Sequence, residues 1–190
     1  MKVKIYVFRH SESVYNKMGV FSGRSQVRLS TYGRKKAQQI AQKLKNEKID
    51  LAFTSPLSRT KECLDYILKY HPETEITVDK KLIERDCGKL TGKSKKEYAH
   101  KYPKLFPIYH RSYDIPPPGG ESMKQVDKRV SSFIKDLLRI VKKRKIKTVI
   151  IATHGNSIRP IRKHFEGLSN KEMMEIETGK GEVIEYSIDI

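Results

Sequence analysis

Short strand patterns alternate with amphipathic helix patterns along most of the chain. The strand patterns, apolar or alternating with a period of two, cover residues 3–7, 51–54, 75–78, 148–152 and 183–188. Between them apolar residues recur with the helical period of about 3.6, over the longest stretch from Val126 to Val141. This alternation predicts an α/β fold, with a mostly parallel sheet that carries helices on both faces.

Capping signals mark two helix starts, and one long region lacks a clear period. Ser30 is suited to cap the helix after the first strand, and Ser169 with Glu172 forms a capping-box pattern. Residues 80–120 combine weak periodicity, many cations and three consecutive prolines, 116–118. We expect long connections there, with room for one short helix, and a basic lid-like stretch at about 85–120.

Composition bounds the class of protein and its partners. The 190 residues suit one domain spanning 1–190, and no apolar run approaches the roughly 20 residues of a membrane helix. Two cysteines are too few for a disulfide framework, and the N-terminus lacks a signal-peptide pattern, so a cytoplasmic protein is expected. A net charge of +18 is suited to polyanions or small anionic substrates, and a solvated lysine-rich surface accounts for it equally well. No nucleic-acid motif or membrane segment is found, and a homo-oligomer stays open.

Polar and charged side chains follow the predicted strands, where α/β sheets build their sites. Arg9 and His10 end the first strand, Arg59 lies just beyond the second, and His154 ends the fourth. Glu84 lies a few residues beyond the third strand. Any one of these residues alone is most often structural or solvated, but two histidines, two arginines and one acid at one sheet edge are a rare coincidence.

This set of side chains is suited to phosphoryl transfer through a phosphohistidine. A neutral imidazole attacks phosphorus when its other ring nitrogen is held by a hydrogen bond. Two arginines and a protonated His154 would bind the phosphoryl oxygens, and Glu84 would protonate the leaving oxygen. No cluster of carboxylates predicts a metal site, so we expect no metal cofactor.

Four segments carry a resemblance to the histidine phosphatase superfamily, also called the phosphoglycerate-mutase-like family. They are Arg9-His10-Ser11-Glu12-Ser13-x2-Asn16, Thr54-Ser55-Pro56-Leu57-x-Arg59, Leu82-x-Glu84-Arg85 and His154-Gly155-Asn156. The resemblance implies a three-layer sandwich in which His10 is the nucleophile and Glu84 the proton donor. It also implies that Arg9, Arg59 and His154 bind phosphate.

Within that superfamily the chain is most similar to 2,3-bisphosphoglycerate-dependent phosphoglycerate mutases. The similarity rests on Phe21-Ser22-Gly23, on the segment from Glu84 to Lys95, on Arg111-Ser112-Tyr113-Asp114, and on His154-Gly155-Asn156-Ser157-x-Arg159. It implies interconversion of 3-phosphoglycerate and 2-phosphoglycerate, in glycolysis and gluconeogenesis, with 2,3-bisphosphoglycerate as primer. The substrate-binding residues it implies are Ser13, Asn16, Ser22, Gly23, Lys95, His110, Arg111, Gly155 and Asn156.

Two other functions stay open. A metal-independent phosphomonoester hydrolase acting on a small phosphorylated metabolite is the first alternative. It is favoured because Gly119-Gly120-Glu121-Ser122 follows the prolines directly, as in several phosphatases of the superfamily, whereas mutases commonly carry an insertion there and a C-terminal tail over the site. A basic protein that binds polyanions without catalysis is the second alternative, and the absence of tryptophan and the scattered aromatics disfavour it.

Overall fold

A computed structural model of the chain describes residues 1–190, apart from the side chain of Arg111. Its core is a five-stranded sheet with the order β3-β2-β4-β1-β5. The strands are β1 (Lys2–Arg9), β2 (Leu51–Thr54), β3 (Glu75–Val78), β4 (Thr148–Thr153) and β5 (Val183–Asp189). β1 to β4 are mutually parallel, and β5 runs antiparallel to β1 at one edge. The predicted α/β fold with a mostly parallel sheet is confirmed.

Alternate residues of β1 face two separate hydrophobic cores. Val3, Ile5 and Val7 pack in one core with apolar residues of the long helix α6, and Tyr6 and Phe8 pack in the other. The helices are α1 (Val14–Met18), α2 (Thr31–Leu44), α3 (Ser58–Leu68), α4 (Lys95–Lys101), α5 (Leu105–Arg111), α6 (Met123–Arg144), α7 (Ile158–Glu166) and α8 (Asn170–Glu175). Helices α2 and α3 cover the second face, which makes three layers.

The predicted helix starts are confirmed. The Ser30 side chain accepts a hydrogen bond from the Gly33 amide and caps α2. Ser169 and Glu172 form the capping box of α8, and Ser122 forms a further one with Gln125 at the start of α6. These caps set where the three helices begin.

The region 80–120 holds more helix than its sequence predicts. It contains 3₁₀ turns at Lys80–Leu82 and Gly88–Leu90 as well as the two short helices α4 and α5, rather than one short helix. Tyr98 of α4 and Phe106 of α5 both pack against Phe21, each with ring centroids 6.2 Å apart. Contacts with a distant segment therefore stabilise helices too short to show a period of their own.

In the part of the chain that the structure describes, no helix combines the length and the apolar character needed to cross a membrane.

Candidate active site

The strand register brings three of the four candidate segments together at one edge of the sheet. Arg9 lies beside Thr153, and Ala152 lies between Phe8 and Thr54. The His10 amide continues the pairing by donating to the Thr153 carbonyl at 3.0 Å. His10, His154 and the loop before α3 therefore leave the sheet next to one another.

His10 is buried, and its two ring nitrogens have different partners. Nδ1 lies 2.7 Å from the Ser11 carbonyl oxygen, which can only accept, so Nδ1 carries the hydrogen. Nε2 accepts a hydrogen bond from Nε of Arg59 at 3.1 Å. Burial, and after it the charge of Arg59, holds the His10 pKa well below its ordinary value. The ring is therefore neutral, with its lone pair on Nε2.

Two buried guanidinium groups flank this imidazole. Arg59 is fully buried and donates to the carbonyl oxygens of Ser25 and Gly23 at 2.8 and 2.9 Å. Arg9 donates from Nη1 to the Thr178 carbonyl at 2.7 Å, while its buried Nε has no partner in the described part of the chain. Within the described residues neither group forms an ion pair with a carboxylate. The pair therefore supplies positive charge that an anion can neutralise.

Gly155 allows Arg9 to lie against the turn after β4. A Cβ at this position would lie 3.1 Å from both Cζ and Nε of Arg9, closer than such contacts normally are. The absence of a side chain at Gly155 therefore helps to place the guanidinium beside His154.

His154 is completely buried, and its ring lies edge to face with that of His10, with centroids 5.1 Å apart. Its Nε2 lies 2.7 Å from the Ser55 hydroxyl, and its Nδ1 has no partner within the described residues. Burial, with a smaller effect of Arg59, holds the His154 pKa well below its ordinary value. The unliganded protein thus favours a neutral His154, in contrast to the protonated form expected from the sequence.

Glu84, on the segment after β3, lines a cavity at this edge of the sheet together with Arg9, whereas His10, Arg59 and His154 are not among its lining residues. Oε1 of Glu84 accepts the amides of Arg85 and Asn156, at 2.8 and 3.2 Å. The Ser157 hydroxyl donates to the neighbouring carbonyl of Ile83 at 2.6 Å, which joins this segment to the turn after β4. These bonds hold the carboxyl group in one position while Oε2 stays available.

The cavity has a volume of about 240 Å³ and brings most of the remaining predicted residues together. Those that line it are Asn16, Ser22, Gly23, Lys95, His110, Gly155 and Asn156. The Ser22 hydroxyl is buried and has no partner among the described side chains, and burial lowers the Lys95 pKa. The predicted residue Arg111 has its side chain outside the described part of the structure.

Ser13 is not among the lining residues. It is fully buried, and its hydroxyl accepts the Asn16 amide at 3.2 Å as the N-cap of α1. The Asn16 side-chain oxygen in turn accepts the Ser13 amide at 3.2 Å. Ser13 thus positions Asn16, which itself lines the cavity.

Several lining residues were missed by reasoning from the sequence. They include Arg85, Cys87, Tyr109, Arg159, Glu177 and Thr178. The two arginines were detectable, because Arg85 follows Glu84 directly and Arg159 lies one helical turn beyond Asn156. Nothing local marks Glu177 or Thr178, which reach the cavity because the segment between α8 and β5 passes beside Arg9.

Ser11 stands where the superfamily pattern usually has glycine. Its hydroxyl donates to the Gly33 carbonyl at 2.7 Å, in the first turn of α2. Gly33 in turn accommodates the Ser11–Ser13 segment, since a Cβ there would lie 2.0 Å from the Glu12 carbonyl oxygen. The Ser11 side chain is therefore accommodated by a hydrogen bond to the first turn of α2.

The described side chains contain no group of three or more His, Cys, Asp or Glu residues placed to hold a metal ion. What they do contain is a neutral imidazole whose Nε2 lone pair accepts a hydrogen bond from Arg59, two arginines and a nearby carboxyl group. Such an arrangement can transfer a phosphoryl group to a ring nitrogen and protonate the leaving oxygen.

Comparison with known proteins agrees with this chemistry. The model of the histidine phosphatase superfamily (branch 1) matches residues 5–189. A 2,3-bisphosphoglycerate-dependent phosphoglycerate mutase of Chelativorans sp. is 35% identical, over 100% of this chain and 94% of its own. A phosphoglycerate mutase of Schizosaccharomyces pombe is 37% identical, over 95% of this chain and 88% of its own.

Solved structures share the fold at low sequence identity. A mycobacterial glucosyl-3-phosphoglycerate phosphatase superposes with a TM-score of 0.86 at 19% identity, covering 98% of this chain and 91% of its own. Bacillus stearothermophilus YhfR superposes with a TM-score of 0.84 at 22% identity, covering 96% and 90%. The family match over nearly the whole chain and the full-length similarity to the mutases lead to one conclusion: this chain belongs to the histidine phosphatase superfamily, whose enzymes include phosphoglycerate mutases and phosphatases.

Proposed function

We propose that the protein is a 2,3-bisphosphoglycerate-dependent phosphoglycerate mutase that works through a phosphohistidine at His10. The observation that carries the chemistry is the state of Nε2 of His10. This nitrogen carries no hydrogen, and its lone pair accepts a hydrogen bond from Arg59. Nε2 attacks the phosphorus atom, the P–O bond of the substrate breaks, and Glu84 gives a proton to the leaving oxygen. Arg9, Arg59 and His154 bind the three phosphoryl oxygens during transfer.

The outer half of the cavity supports a substrate with a second anionic group. Arg85 is buried, and its Nη2 has no partner within the described residues. Lys95 lines the same cavity, and no described carboxylate pairs with it. A substrate whose one anionic group is its phosphate would need only Arg9 and Arg59. Phosphoglycerate also has a carboxylate, which Arg85 and Lys95 could bind.

The full-length relatives also bear on the alternative of a phosphatase. The alignment with the Chelativorans protein named as a mutase holds the 190 residues of this chain in 195 positions. That relative therefore inserts only about five residues in all. The lack of a long insertion between the prolines and Gly119 is thus no evidence against a mutase when this chain is compared with that relative.

Two free cysteines fit a reducing compartment, and we place the enzyme in the cytoplasm.

One assay separates the two activities. The protein is incubated with 3-phosphoglycerate, with and without catalytic 2,3-bisphosphoglycerate, and both 2-phosphoglycerate and free phosphate are measured. A mutase forms 2-phosphoglycerate at a rate that depends on the primer, with little phosphate released. Rapid phosphate release without isomerised product would assign a hydrolase, and inactivity of His10→Ala in both readings is the control.

The outer cations give a second test. Arg85→Gln and Lys95→Ala should raise the KM for 3-phosphoglycerate more than the KM for an aryl phosphate that has one anionic group. Lys93→Ala serves as the matched control, because it removes a nearby lysine that does not line the cavity. Equal effects on both substrates would contradict the carboxylate-binding role.

A further inference from the structure

The pair formed by Ser55 and His154 lies behind the proposed phosphoryl site. Ser55 follows β2, is fully buried, and has its hydroxyl oxygen 2.7 Å from Nε2 of His154. The same oxygen accepts the amide of Leu57 at 3.1 Å. Neither Ser55 nor His154 is among the residues that line the cavity, and the Ser55 hydroxyl contacts the His154 ring, so we expect any effect of Ser55 on the reaction to act through His154.

The position of the hydroxyl hydrogen follows from counting donors and acceptors. Among the described residues, His154 Nε2 is the one acceptor within reach of the Ser55 hydroxyl. If Nε2 carried the ring hydrogen, the hydroxyl hydrogen and the Nδ1 lone pair would both be buried without partners. If Nδ1 carries it, only the Nδ1 hydrogen lacks a partner. Each buried polar group left unpaired costs about 1–3 kcal/mol, so the second arrangement is favoured.

We propose that Ser55 is a positioning residue, which fixes the hydrogen of a neutral His154 on Nδ1 so that Nδ1–H donates to the phosphoryl group. The inference rests on the proposed phosphoryl transfer at His10. It explains how His154 can bind the transferring group without being protonated. A phosphoryl oxygen would also supply a partner for Nδ1, which has none among the residues that the structure describes.

The backbone around Ser55 is held firmly enough for this role. Its amide donates to the Ala152 carbonyl across the sheet at 3.4 Å. Its carbonyl accepts hydrogen bonds from the hydroxyls of Thr54 and Thr60, at 3.2 and 3.3 Å. These bonds hold the main chain of Ser55, while the Leu57 amide and Nε2 of His154 contact its hydroxyl group. The hydroxyl therefore has partners before any substrate enters, and it need not reorganise during the reaction.

The direct test is the tautomer of His154, read from the ¹⁵N chemical shifts of its ring in protein labelled at histidine. We expect a protonated Nδ1 and an unprotonated Nε2, both in the unliganded protein and with vanadate bound. A hydrogen on Nε2, or a doubly protonated ring in the vanadate complex, would overturn the proposal. Because this measurement needs no turnover, it can fail while His10 phosphorylation and mutase activity stand.

Three variants separate positioning from a merely structural role. Ser55→Ala removes the donor, so the His154 spectrum should show mixed tautomers and kcat should fall on the order of 10-fold, with KM changing less. Ser55→Thr keeps the hydroxyl and should restore the Nδ1–H spectrum.

Thr60→Val is the matched control. It removes a buried hydroxyl that contacts the Ser55 carbonyl but not His154, and should leave the tautomer unchanged. If Ser55→Ala lost activity with an unchanged His154 spectrum, the proposal would be refuted.

Discussion

Burial of two neutral histidines makes the stability of this protein depend on pH in a calculable way. His10 and His154 are 2% and 0% exposed, and burial lowers both pKa values well below 6.5. In the unfolded chain each titrates near pH 6.5. Below that pH the unfolded state binds one more proton at each histidine, so the free energy of unfolding falls as pH falls. The slope is about 1.4 kcal/mol per pH unit for each histidine, or about 2.7 for both, until the folded-state pKa values are reached.

The assay is urea unfolding between about pH 7 and pH 5, in zwitterionic buffers without phosphate or sulfate, because an anion in the site would stabilise the protonated forms. His10→Gln and His154→Gln each remove one histidine, so below about pH 6, where the unfolded-state histidine is protonated, each should reduce the slope by about 1.4 kcal/mol per pH unit relative to the wild type. His164, whose pKa is also lowered by burial, is present in all three proteins and cancels in the difference. Equal slopes in wild type and variants would show that these histidines are not neutral in the folded protein.

Three further predictions concern the reaction itself. Glu84→Gln should lower kcat by on the order of 10²–10⁴ for phosphoglycerate and much less for an aryl phosphate with a good leaving group; equal losses would argue against proton donation. Gly155→Ala should displace the Arg9 guanidinium and reduce kcat/KM roughly 10-fold while the melting temperature hardly changes, whereas an unchanged kcat/KM would show that this contact does not matter. EDTA should leave activity intact, and kcat/KM should fall as salt shortens the Debye length from about 10 Å at 0.1 M to about 3 Å at 1 M; activity restored by a divalent cation would reveal a metal requirement.

The strands and long helices could be predicted from the sequence because their apolar residues repeat regularly over many positions. The residues that cap the helices lie next to the helix ends in the sequence, so they could be predicted as well. The period of two in β1 and the 3.6-residue period in α6 each reflect one buried face. The grouping of the two histidines with Arg9 could be predicted from the expected sheet topology. Parallel strands end at one edge, so Arg9, His10 and His154 had to lie close together.

The rest depends on contacts between distant segments, which no local pattern encodes. Helices α4 and α5 form against Phe21, and Thr178 reaches the site only because its carbonyl accepts a hydrogen bond from Arg9. The expected role of Ser13 in substrate binding stays a prediction, and the fold adds that its hydroxyl caps α1. The neutral state of His154 is a consequence of its complete burial, which is a property of the packed core.

The site of phosphorylation tests the central claim most directly. The protein is treated with 2,3-bisphosphoglycerate, quenched in alkali, and examined by ³¹P–¹H correlation spectroscopy and by peptide mass spectrometry. Because Nδ1 of His10 is bonded to the Ser11 carbonyl, the phosphoryl group should be found on Nε2 of His10, and the adduct should be labile to acid and stable to alkali. A phosphoryl group on Nδ1, or one that persists in His10→Ala, would contradict the account.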